Sequence, residues 1–172
     1  MKTLLVQIFA ISMVLVSTVS AQLKDVEFSV TRQKLDEQKE REGGNTTIVT
    51  KEVRYKVTAQ NRTFKTIPEL EVKYMVFYEV PVPGTKDEVN EDFHKGSEKI
   101  TNLEGHRSAV FETKPFKLSS SQLDGNWYYA SGANSKAKDR VTGVWIKAFV
   151  DDKLVGEYVN PSTISRKNDW KE

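Results

Sequence analysis

GVWIKAFVDDKLVGEYV, residues 143–159, decides the fold. Two strand-like runs, Val144 to Val150 and Lys153 to Val159, flank Asp151 and Asp152, a pair of short carboxylates that tolerates turn conformations by bonding locally to backbone amides. The stretch reads as a β-hairpin. With the aspartates as its loop, Trp145 falls opposite Tyr158, Lys147 opposite Gly156 and Phe149 opposite Leu154, all on one face because side chains alternate along a strand. The other face then takes Val144 with Val159, Ile146 with Glu157, Ala148 with Val155 and Val150 with Lys153. The first strand is apolar on both parities, so one face must meet something beyond a single core. The aliphatic parity is expected inside. The aromatic parity is expected either to be covered by the chain's own loops around Trp127 to Tyr129 or to be left for a partner.

Upstream of the hairpin the same period of two recurs. Val26, Phe28 and Val30 alternate with Glu27, Ser29 and Thr31, which predicts a first strand from about Lys24. Arg32 to Thr47 has Leu35 as its one large aliphatic residue besides charged and polar neighbours and no helical apolar face, so an extended, solvated strand end and a mobile loop at Gly43 and Gly44 are expected there. Val53, Tyr55, Val57 and Ala59 share one parity of a second strand, expected to pair with the first. Glu71 to Val80 predicts a third, apolar on both faces in its second half and therefore central, ended by Pro81 and Pro83. Gly84 to Lys99 reads as a long polar connection, with a short strand from Ile100 to Leu103. Ser108 to Leu118 reads as one further strand that Pro115 places at an edge or bulge, Ser119 to Ser121 as a serine-rich turn, and Asn126 to Ser131 as a strand or an aromatic loop. The polar run Gly132 to Gly143 is expected to be flexible, and Arg166 to Glu172 to form a charged tail.

About seven strands with turn signals between them and no convincing helix predict an all-β fold, an antiparallel β-sandwich. The strand order, the long segment in the middle and a closing hairpin VWIKAFVDDKLV before NPS, over residues 24–162, resemble an immunoglobulin-like or fibronectin type III-like module. That resemblance implies the sandwich architecture and the adhesive, scaffolding or spacer roles such modules commonly serve. The cysteine pair and intervening tryptophan of true immunoglobulin domains are absent, so no binding residue is carried over.

MKTLLVQIFAISMVLVSTVSA, residues 1–21, places Lys2 ahead of an apolar run and ends in small residues suited to cleavage before Gln22, as an export signal does. The run is interrupted at Gln7 and is shorter than the roughly 20 residues of a spanning helix, which favours cleavage over an anchor. The expected location is outside the cell or in the periplasm or envelope, with no membrane span after cleavage. With no cysteine in the sequence, disulfides and thiolate chemistry are excluded. The remaining residues, 22–172, are enough for one core, and a single domain over 22–164 with a tail over 165–172 is expected. The chain has 26 basic and 24 acidic residues; removing Lys2 with the signal leaves 25 against 24, so no nucleic-acid partner is expected.

No reactive constellation stands out. His94 and His106 are the only histidines, no HExxH motif occurs, and no Gly-x-Ser-x-Gly elbow surrounds the serines. Asp87, Glu88, Glu91 and Asp92 form an acidic run whose oxygens suit calcium in type but in no established loop spacing, so neither a metal nor a cofactor is expected. Two N-x-T sequons, at Asn45 and Asn61, read as loop markers. Trp127, Tyr128 and Tyr129, with Trp145, Phe149 and Tyr158, are the candidate binding residues, since aromatic faces offer apolar area with a polar tip. The functional expectation is a non-enzymatic binding, scaffolding or adhesion module for another protein or a surface glycan. A carbohydrate-binding module with an aromatic platform is the first alternative, and a hydrolase of unknown substrate the second.

Overall fold

The computed structural model describes residues 24–170, and the export signal read at residues 1–21 lies outside them. Nine strands form two antiparallel sheets among the described residues. In sheet A, β1 (Val26–Glu42), β2 (Thr46–Asn61), β6 (Phe116–Leu123) and β7 (Lys136–Lys138) are neighbours in that order, and β5 (Ser108–Glu112) also pairs with β2. Sheet B is ordered β4 (Val89–Leu103), β3 (Ile67–Pro81), β8 (Arg140–Val150) and β9 (Lys153–Asn160). The chain thus lays β1 and β2 into one sheet, β3 and β4 into the other, returns for β5 to β7, and closes with β8 and β9. One core joins the sheets: Val53, Tyr55, Val57 and Phe116 from sheet A meet Leu70, Val72, Tyr74, Val76 and Ile146 from sheet B. This is an antiparallel β-sandwich.

The expected hairpin is present, and its turn follows from Asp151 and Asp152, both at positive φ (47° and 61°), the two-residue geometry whose twist suits flanking strands. Val150 pairs with Lys153 and Phe149 with Leu154 as the alternation predicts. Beyond them the expected register fails. Val155 is an extra residue, so Ala148 faces Gly156, Ile146 faces Tyr158, Lys147 faces Glu157 and Trp145 faces Val159. The reason is the carboxylate: an unshifted hairpin carries Glu157 into the core opposite Ile146, and a buried unpaired charge costs far more than a bulge. A one-residue slip exchanges the faces, sends Glu157 outward, and brings Tyr158 inward against the core.

Five other expectations are corrected. The polar connection from Gly84 to Lys99 is largely strand, because β4 is an edge strand paired to β3 along its length and its side chains need no apolar face. Gly96 within it leaves room for the Tyr74 ring. The single strand from Ser108 to Leu118 is two, β5 and β6, which pair with successive parts of β2 on either side of Thr113 to Pro115. Buried Thr113 bridges the break, its hydroxyl accepting from the Tyr55 amide at 2.9 Å while its own amide donates to the Tyr55 carbonyl. The serine run lies inside β6, and the run expected to be flexible supplies β7 and the start of β8. Finally, a short helix, α1 (Ile164–Lys167), follows β9.

The bulge also sets how tightly the sandwich closes. Gly156, now inward, sits where an added Cβ would lie 2.6 Å from the Val26 carbonyl oxygen and 3.0 Å from the Val26 side chain. Gly156→Ala is therefore expected to destabilise the protein by about 1–3 kcal/mol through overpacking, measured as a lower urea midpoint at unchanged slope.

Candidate functional site

Trp145, the centre of the sequence reading, is 6% exposed on the outer face of sheet B. Its cover is neither the Trp127 loop nor a partner but the C-terminal segment. Ile164 of α1 packs with Met75, Phe77 and Trp145, and Gly143 leaves the space that the Ile164 side chain fills. Trp170 meets the Trp145 ring edge-on, centroids 5.1 Å apart. Lys147 Nζ lies 4.6 Å from each of these two indole centroids, and Trp145 Nε1 donates to Glu157 Oε1 at 3.0 Å. The residues expected to form a charged tail thus include a hydrophobic anchor.

The other candidate aromatics are dispersed. Phe149 is half-buried under Lys73 Nζ, 5.4 Å from its centroid. Tyr158 packs on the main core, and its hydroxyl oxygen accepts from Asn160 Nδ2. Tyr129 is half-buried against Gly84 in the loop between β3 and β4. Trp127 and Tyr128 alone stand out in solvent, 63% and 82% exposed, in the loop joining β6 to β7. The structure therefore does not gather Trp127, Tyr129, Trp145, Phe149 and Tyr158 into one platform. Phe64, 90% exposed at the tip between β2 and β3, contacts His106 edge-on and was not among the expected site residues.

No group of three or more histidine or carboxylate side chains among the described residues is arranged to hold a metal. Asp87 and Glu88 lie in the loop before β4, while Asp92 accepts from the Tyr78 hydroxyl at 3.0 Å. Burial, reinforced by that carboxylate, pushes the Tyr78 pKa up to about 12. His94 stacks on Phe116, centroids 4.9 Å apart, with Nε2 donating to the Lys114 carbonyl at 3.0 Å, and its burial holds its pKa below the ordinary value. Asn61, the second sequon, is fully buried: its Nδ2 donates to the Lys65, Leu103 and Glu104 carbonyls and its Oδ1 accepts from the Thr63 amide and hydroxyl. This asparagine ties two loops together.

The feature that composition concealed is in sheet A. At the β1 edge of the core, Arg32 stands opposite Tyr55 and Lys34 opposite Val53, and past Val53 and Leu118 the inner face leaves the core and the register lines up Glu37 with Lys51, Lys39 with Val49 and Arg41 with Thr47. β6 and β7 add Ser120 beside Lys138 and Gln122 beside Lys136 on the same side. Seven cations and one carboxylate, Glu37, therefore share this face. The reverse face holds Asp36, Glu40, Glu42 and Glu52, with Lys117 and a salt-bridged Arg54. Leu35 is an extra residue in β1, and it is this bulge that brings Lys39 and Arg41 onto the cationic side. Charges that alternate along a strand separate across a sheet. The signal was present in RQKLDEQKERE, but only a known bulge position converts it into faces.

Glu37 is held by Lys34 at 3.0 Å and Lys51 at 3.4 Å, and the contact with Lys34 above all keeps its carboxyl below the usual range. Arg41 reaches Asp124 at 3.5 Å. Arg32, Lys39, Lys136 and Lys138 make no ion pair among the described residues. The loop bearing Trp127 and Tyr128 begins at Asp124, whose amide donates to the Asn45 carbonyl and whose carboxylate accepts from the Thr47 hydroxyl. The exposed aromatics and the cationic face thus belong to the same end of the sandwich.

Two measurements separate anchoring from exposed residues. Trp145→Ala is expected to cost about 3–5 kcal/mol in urea unfolding, and Trp127→Ala less than about 0.5 kcal/mol. For His94 the unfolded chain takes up its proton first as pH falls, because the folded-state pKa is the lower one. Stability should then decline below about pH 6.5 and level off once the folded form is also protonated. Urea melts across that window should show this slope, and His94→Gln should lack it.

Among solved structures, the chain aligns with a crystal structure from Akkermansia muciniphila at 12% identity and a TM-score of 0.29, covering 85% of this chain and 77% of that one. It also aligns with an X-ray structure of a Northeast Structural Genomics Consortium target at 6% identity and a TM-score of 0.34, covering 86% and 96%. At such TM-scores neither likeness carries an argument. No protein-family model matches the chain, and no curated protein matches it.

Proposed function

We propose that this is an exported, non-enzymatic binding module of immunoglobulin-like or fibronectin type III-like kind, presenting one end of its sandwich to a protein or a surface glycan. The observation that carries the reading is the pair Trp127 and Tyr128, large aromatic side chains left in solvent on the loop from Asp124 to Ser135 while Trp145, the other candidate tryptophan, is packed away. Exposed aromatics in a loop fixed by a rigid scaffold are the usual anchors of recognition surfaces. The architecture is supported by the topology: a sheet of β1, β2 and β6 facing a sheet of β4, β3, β8 and β9 has the hairpin-by-hairpin alternation of such modules. Export is supported by Lys2, the apolar run and the small residues to Ala21.

The double variant Trp127→Ala/Tyr128→Ala tests the reading. It should melt within about 2 °C of the parent protein, since neither side chain is buried, and lose retention on its glycan or protein ligand. Unchanged retention by the double variant, or turnover of ester, peptide or glycoside substrates by the parent, would overturn it.

A further inference from the structure

We propose that the cationic inner face of sheet A, beyond the hydrophobic core, binds an anionic polysaccharide. This names the partner of the binding module proposed above and rests on that reading.

Four features of the face fit such a ligand. Lys39 and Arg41 on β1 and Lys136 and Lys138 on β7 stand at alternate positions on the two flanking strands of the β1-β2-β6-β7 path, roughly 7 Å apart along each strand and, with β2 and β6 between, about 14 Å apart across the sheet. Two rows of cations this far apart suit repeated charges along an extended polymer rather than one compact anion. Thr47, Ser120 and Gln122, interleaved among the cations, offer hydroxyl and amide partners for sugar hydroxyls. Unpaired Lys39, Lys136 and Lys138 are available to counter-charges without breaking an ion pair within the described residues. Lastly, Trp127 and Tyr128, exposed at the same end, supply apolar faces on which sugar rings stack.

Geometry argues against two other polyanions. A groove of about 330 Å³ lies between β7 and the loop from Pro81 to Val89, with Lys136, Lys138 and Arg140 on one side and Asp87 and Glu88 on the other. That loop is fastened across the end of the sheet by Ser131, whose hydroxyl donates to the Gly84 carbonyl at 2.6 Å. A face bordered in this way admits a single polymer chain more readily than a planar bilayer or the broad cylinder of a nucleic-acid duplex. Arg140 is already paired with Glu79 at 2.7 Å, so the free lysines carry the attraction.

Calorimetric titration with heparin, polygalacturonate, neutral dextran, oligothymidylate and phosphatidylglycerol vesicles tests this. Heparin and polygalacturonate should bind with an affinity that falls steeply with salt, and dextran should not bind. Lys39→Glu/Lys136→Glu/Lys138→Glu should weaken polysaccharide binding on the order of 100-fold at low salt. Lys56→Glu/Lys65→Glu/Lys117→Glu, with the same net charge but off this face, should weaken it less than about threefold by long-range charge alone. The salt dependence of the unmodified protein keeps the test independent of how the variants fold. Equal loss in both triples, absence of binding to both anionic polysaccharides, or tighter binding to oligothymidylate or vesicles would overturn the proposal. If the polysaccharides fail while Trp127→Ala/Tyr128→Ala still abolishes capture of another ligand, the binding module stands and its anionic partner falls.

Discussion

The sandwich depends on keeping Glu157 out of its core. A carboxylate between two apolar sheets needs a partner that Val72, Ile146 and Ala148 do not offer, and one extra residue at Val155 removes the conflict by turning Glu157 to the outside. Much else follows from that slip. Gly156 turns inward where β9 closes against Val26, Tyr158 fills the core end, and Glu157 accepts the Trp145 indole proton on the outer face. Trp145 is then an outer-face residue. Burying so large a ring requires a second apolar layer, which Ile164 and Trp170 provide.

A second extra residue, Leu35 in β1, does for charge what Val155 does for packing. Without it, Glu40 and Glu42 would share the face of Lys51 and Lys138; with it, Lys39 and Arg41 do. A chain of 26 basic and 24 acidic residues is near neutral as a whole, yet presents a face with seven cations backed by one rich in carboxylates. Such separation has consequences for association that net charge does not describe, because a ligand responds to the local field within about a Debye length. The cationic face lies where the hydrophobic core ends, so its side chains are not required for packing and remain accessible to a ligand.

Legibility in the sequence followed side-chain contrast. β2 and the hairpin around Asp151 were readable because one parity is apolar and turn residues bound the run. β4 was not, since an edge strand is held by backbone hydrogen bonds to β3 and NEDFHKGSEK puts no run of apolar residues on either parity, Phe93 and His94 being its only half-buried rings. Thr113 to Pro115 looked like an irregular end of one strand, and the existence of two strands became clear only through their shared partner, β2. The aromatic candidates divided for the same reason. Trp127 and Trp145 carry equal apolar area, and nothing local distinguishes a ring that finds Trp170 from one that finds solvent.

By itself the sequence determined an all-β chain, its hairpin turn at Asp151 and Asp152, the aliphatic parity that faces the core, and the absence of thiol chemistry, because these depend on local alternation, turn geometry and composition. Tertiary structure decided the registers, since a bulge is chosen by what the whole strand must bury. It decided as well that the C-terminal segment covers Trp145 and that Lys39, Arg41, Lys136 and Lys138 share a face. Those are contacts between residues far apart in the chain, which alternation within any one strand does not encode.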